Sequence, residues 1–140
     1  MSIYVKSLIY FIQGESTKLI KIGKTNSSIE ERVKSLQTGS PDKLKVIGVT
    51  FEPYHSESSL HAQFDQFRKH GEWFFPADEI ALFLSNNCFK KIETAYLAYT
   101  LVQSGQISYE DAINMSVKSM HKLSSMIDYK NFDTNGVYKL

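Results

Sequence analysis

The stretch SLIYFIQGESTKLIKIGKT, residues 7–25, constrains the chain most. Two short runs rich in Ile, Leu, Tyr and Phe flank Gly14, Glu15 and Ser16, which is the pattern of a β-hairpin. A hairpin with apolar residues in both strands is marginal alone and must be completed by further strands or covering helices. The rest of the sequence supplies both. NSSIEERVKSLQTGSP reads as a helix, with Ser27 and Glu30 spaced as a capping box, Ile29, Val33 and Leu36 at i, i+4, i+7, and Gly39 and Pro41 as the stop. LKVIGVTF, residues 44–51, reads as a third strand. SESSLHAQFDQFRKHG reads as a second helix, with Ser56 as N-cap, an apolar line of Leu60, Phe64 and Phe67, and Gly71 as the stop. EWFFP is a short extended piece, and residues 77–85 a short helix.

The expected fold is therefore a mixed α/β (α+β) domain, a small three-stranded sheet flanked by helices, over residues 1–86. Residues 87–140 are expected to form a helical C-terminal extension, with helices over 89–104 and 109–127 joined at Gly105, Ser108 and Asp111 capping the second, and a tail from 128. Phe89, Ile92, Ala95, Tyr96 and Tyr99 recur at helical spacing. Such a stripe suits either the chain's own core or a homodimer face.

Charge narrows the partners. The whole chain carries +1, but residues 1–50 hold eight Lys/Arg against four Asp/Glu, and residues 51–140 hold eight against eleven. A polybasic coat is excluded, while a local basic face for a polyanion is not. The single cysteine, Cys88, excludes an intramolecular disulfide and a cysteine-rich zinc site. LIYFI is too short for a signal-peptide core or a membrane span, so the expectation is a reduced, intracellular protein away from membranes.

Tyr10 sits mid-strand, where most tyrosines are only half-buried sheet residues. Arg32 lies beside Val33, on the rim of the first helix's apolar face. Glu57 stands three residues before Leu60 and seven before Phe64, which places its carboxylate on the buried line of the second helix. His61, four residues on, shares that face.

Taken together, these residues resemble the GIY-YIG nuclease superfamily, and in particular its phage-type branch. The first motif stands as Leu8-Ile9-Tyr10 and the second as Lys21-Ile22-Gly23, followed by Arg32 in ERVKSLQTGSP, Glu57 and His61 in ESSLHAQF, and GEWF at 71–74. The match spans roughly residues 8–84. Leu8 replaces the family's first glycine, and Lys21 replaces its second tyrosine. The resemblance implies a Mg²⁺- or Mn²⁺-dependent DNA endonuclease. Glu57 would hold the metal, with Glu72 as the alternative, and Arg32 would hold the scissile phosphate. Tyr10 would orient or deprotonate the water with Lys21 or Lys24 lowering its pKa, and His61 would serve as relay or phosphate contact. Lys18, Lys24, Arg32 and Lys34 are the expected DNA-facing cations. A DNA-binding module of the same fold without catalysis is the competing reading, supported by Lys21, Leu8 and the near-neutral charge.

Overall fold

The computed structural model describes residues 8–126. A five-stranded sheet, all antiparallel, has the order β3-β1-β2-β5-β4. Its strands are β1 (Leu8–Gly14), β2 (Ile20–Thr25), β3 (Leu44–Phe51), β4 (Arg68–His70) and β5 (Trp73–Phe74). Six α-helices accompany it among the described residues: α1 (Ile29–Thr38), α2 (Glu57–Gln63), α3 (Asp78–Asn87), α4 (Ile92–Gln103), α5 (Tyr109–Asn114) and α6 (Val117–Ser124). The mixed α/β class is as expected. The sheet has two more strands than the three expected.

Of the added strands, β4 comes from the end of the segment read as a helix, while β5 lies in EWFFP, the piece read as extended. α2 stops at Gln63, a 3-10 turn carries Asp65–Phe67, and the chain then extends as β4 and turns back as β5. Three polar residues, Arg68-Lys69-His70, show neither helical nor alternating periodicity. Gly71, expected to end a helix, instead makes the hairpin turn at φ +54°. The C-terminal helical run divides as well: Ser116 caps α6 by accepting from Ser119 N–H, so the expected second helix becomes α5 and α6. The expected tail from 128 lies outside the described residues.

The two sheet faces bury different helices. Leu8, Tyr10, Ile12, Val49 and Phe51 face α1 and α4–α6; Ile9, Phe11, Ile20 and Ile22 face α2 and α3. Alternation along β1 accounts for this division, because successive side chains leave opposite faces. The stripe Phe89, Ile92, Ala95, Tyr96 and Tyr99 is turned inward onto the first face. The Tyr96 hydroxyl accepts from Ile29 N–H at 3.2 Å, so α4 satisfies a donor in the first turn of α1. Ser28, not Ser27, caps α1, since the Ser27 hydroxyl is engaged with Thr25. Among the described residues no helix is long and apolar enough to cross a membrane.

Asp42 ties the β1–β2 turn to the loop after α1. Its carboxylate accepts from Ser16 N–H at 2.9 Å and from Thr17 N–H at 3.2 Å, and these bonds hold its pKa below the ordinary value. A depressed pKa contributes stability above the unfolded value, lost as pH falls through the folded one. Asp42→Asn is therefore expected to melt earlier than the parent at pH 7, with the gap closing in acid. A gap constant with pH in thermal melts would show that the carboxylate charge is not what holds the turn.

Candidate functional site

Tyr10 and Gly23 face each other across β1 and β2. The Tyr10 ring, 1% exposed, lies over Gly23 so closely that a Cβ there would stand 2.5 Å from Tyr10 Cζ. Only glycine leaves room for the ring at this point. The ring's hydroxyl emerges under α1, where it accepts from Arg32 Nε at 3.4 Å. That bond, with the nearby tyrosine and the Glu72 charge, raises the Arg32 pKa and holds the guanidinium charged. Arg32 itself is exposed, and its terminal nitrogens make no hydrogen bond to any described residue.

Lys21 stands two residues before Gly23 and so shares the face of Tyr10. It is a buried lysine, 8% exposed. A buried ammonium needs a partner, and Glu72 Oε2 supplies one at 2.7 Å. The Trp73 ring, cross-strand from Lys21, lies 5.9 Å from Nζ. Glu72 precedes β5, which pairs with β2 at Ile20 and Lys21.

Glu72 also faces α2. Glu57, His61 and Glu72 each offer one ligand atom, and these atoms lie within 4.8 Å of one another. Glu57 and His61 are one helical turn apart, so both project from the same side of α2. Ser56 positions that turn by capping α2 through Ser59 N–H. All three residues are half-buried. His61 Nε2 lies 2.8 Å from the Ile22 carbonyl, which can only accept, so Nε2 donates and, in the neutral ring, the lone pair is on Nδ1. Ile22 N–H donates to the Glu72 carbonyl at 3.0 Å. Both backbone polar groups of Ile22 are thus bonded by residues of this cluster.

Lys21, Glu57, His61 and Glu72 therefore gather beside β2, and the Tyr10–Arg32 pair lies on the sheet face of Lys21 and within the field of Glu72. The cation bonded to the Tyr10 hydroxyl is Arg32, whereas Lys21 is paired with Glu72. Lys24 pairs with Ile9 and so leaves the sheet on the α2 side, away from the Tyr10 ring. Lys34 is exposed on α1, turned about 200° around the helix from Arg32. Lys18 occupies the β1–β2 turn at φ +64°. There it lines a cleft of about 480 Å³ with Gln13, Glu15, Lys43 and Lys45, four residues along β1 from Tyr10. Sequence reasoning named Glu72 only as an alternative ligand and missed its pairing with Lys21. Fifty-one residues separate the two, and no local pattern signals the contact.

Two carboxylates and an imidazole so close together suit a divalent cation, the carboxylate oxygens favouring Mg²⁺ and the nitrogen being equally acceptable to Mn²⁺. No curated protein and no solved structure matches the chain. A family model, that of the T5orf172 domain, matches residues 7–93, which is more than half of the chain and includes every residue of the site. The chain belongs to the T5orf172 domain family, a phage-associated domain related to nuclease folds.

Proposed function

We propose that the chain is a divalent-metal-dependent DNA endonuclease of the GIY-YIG type. The observation that carries this reading is the convergence of Glu57, His61 and Glu72 beside Lys21 and the Tyr10–Arg32 pair. Glu57 and Glu72 would hold Mg²⁺ or Mn²⁺, which when bound supplies Lewis-acid stabilisation of charge on the phosphate. Arg32 binds the scissile phosphate through its terminal nitrogens, since Nε is already committed to Tyr10. Tyr10, fixed by that bond, orients the attacking water with its hydroxyl. His61 Nδ1 has the lone pair to complete the metal's shell or to receive the water's proton. Lys21 adds positive charge beside the phosphate, its ammonium steadied by Glu72.

The second reading, a DNA-binding module without catalysis, rests on the same ion pair. Lys21 and Glu72 neutralise each other at 2.7 Å, and a carboxylate so engaged is a poorer metal ligand. Incubating the full chain with plasmid and single-stranded DNA, in Mg²⁺, Mn²⁺ or EDTA, separates the two. The nuclease reading expects nicked or linear product with metal and none in EDTA; the binding module leaves plasmid intact throughout while still retarding it.

Arg32→Ala is expected to slow cleavage by about 10²–10³-fold, the usual effect of losing one donor to a developing oxyanion. Arg32→Lys should recover little of this, because an ammonium cannot bond Tyr10 and grip the phosphate with a planar fork at once. Single-turnover rates for the three proteins provide the check. Parental activity in the lysine variant would mean that charge, not geometry, is what the site uses.

A further inference from the structure

The match to the T5orf172 family ends at residue 93, so α5, α6 and nearly all of α4 lie beyond it. These helices form a unit of their own kind. Ala95, Ala98 and Leu101 of α4 pack with Tyr109 and Ala112 of α5 and Met120 of α6, all of them buried. Small residues on α4 and α5 let the three helices approach closely. Met115 and Ser116 alone separate α5 from α6, and Ser116 starts α6 with a side-chain cap. Two short helices joined by a two-residue turn are thus braced by a third.

The surface of α6 is unlike that of the other two. Met120 and Ser124 are buried, whereas Val117, Lys118, Ser119, His121 and Lys122 are exposed. Lys118, His121, Lys122 and the following Ser125 recur at i, i+3, i+4, i+7 and so make one stripe. There is no acidic residue in α6, and the unit's acids, Glu93, Glu110 and Asp111, sit in the first turns of α4 and α5. Neither lysine forms an ion pair with any described residue.

We propose that α4–α6 is a second DNA-binding element, distinct from the metal site, whose α6 enters the major groove of duplex DNA. An eight-residue helix is about 12 Å long, commensurate with the groove's width of about 12 Å. Lys118 and Lys122 contact phosphates, while Ser119 and His121, exposed on either side of the lysine pair, meet base edges. The Tyr96 contact to Ile29 ties this unit to α1, and thus to the helix bearing Arg32. Duplex held on α6 is then held by the same packed body as the site.

The test is a salt titration of duplex binding by the full chain in EDTA, comparing the parent with Lys118→Ala/Lys122→Ala. Both side chains are exposed, and circular dichroism checks that the fold is kept. Loss of two phosphate contacts should make the slope of log K against log salt shallower by about 1.8, with affinity at least about tenfold lower. Ser119→Ala/His121→Ala should instead change the sequences recovered in a binding-site selection and leave the slope alone. Unchanged slope and affinity in the folded lysine variant would overturn the proposal. So would a change in self-association by sedimentation without any effect on DNA, which would make α6 a contact between copies of the chain. If no metal supports cleavage but duplex binding still depends on α6, the nuclease reading fails and this one stands.

Discussion

Glu57→Ala is expected to abolish metal-dependent DNA cleavage, by on the order of 10³-fold or more, while leaving the fold and duplex binding in place. The metal's contribution to transition-state charge is worth several kcal/mol, and each 1.36 kcal/mol is a factor of ten in rate. Glu57 belongs to the cluster with His61 and Glu72, yet it is only half-buried and caps nothing: Ser56 caps α2, and Leu60, 2% exposed, anchors it to the sheet. Its removal costs the helix only the favourable placement of an acid in the first turn, typically about 0.3–1 kcal/mol. Residual cleavage should need a higher Mn²⁺ concentration than in the parent if Glu72 retains part of the ion's binding. The measurements are plasmid nicking across a metal titration, a thermal melt, and duplex binding in EDTA. Near-parental cleavage would shift the metal to Glu72 or end the nuclease reading; loss of duplex binding in EDTA would mean that Glu57 acts on DNA without a metal.

Gly23→Ala should be as damaging, for a different reason. The added methyl would meet the Tyr10 ring at 2.5 Å, against a side chain that is 1% exposed and packed in the core shared with α1 and α4. The strand carrying Tyr10 cannot readily yield, since β1 is paired on both sides. Overpacking of this kind costs about 1–3 kcal/mol, which lowers the melting temperature by several degrees in a domain of this size. The ring's displacement also takes its hydroxyl from Arg32 Nε, so activity should fall further than the stability loss explains. The check is to compare Gly23→Ala with Tyr10→Phe, which lacks the hydroxyl but keeps the ring. The prediction requires Tyr10→Phe to lose activity with a smaller stability change. A Gly23→Ala protein as stable and active as the parent would mean that the ring does not lie over Gly23.

Local pattern was enough for the elements that carry their own signal. The apolar run bounded by Gly14, Glu15 and Ser16 specifies β1, whose pleat sends Tyr10 to one face and Ile9 and Phe11 to the other. Helical spacing puts Glu57 and His61 on one side of α2, and Ser56 marks its start. Where alternation, caps and apolar periods were weak, the reading failed. β4 is three polar residues, and the division of α5 from α6 turns on Ser116 alone. Such short segments take their conformation from the edge or core they join, not from their own propensity.

From the sequence alone came the α/β class, the first three strands, the helices carrying Arg32 and Glu57, and the residue types suited to phosphodiester chemistry. Tertiary structure decided which of those residues meet. Glu72 was reachable only once the β4–β5 turn was placed beside β2, where it pairs with Lys21 and faces Glu57 and His61. Arg32 rather than a lysine bonds Tyr10, because Gly23 admits the ring and carries its hydroxyl beneath α1. The physical reason is range. Caps and periodicity act over three to seven residues, whereas the contacts that make a site here join positions 22 to 51 residues apart and depend on how the sheet and helices pack.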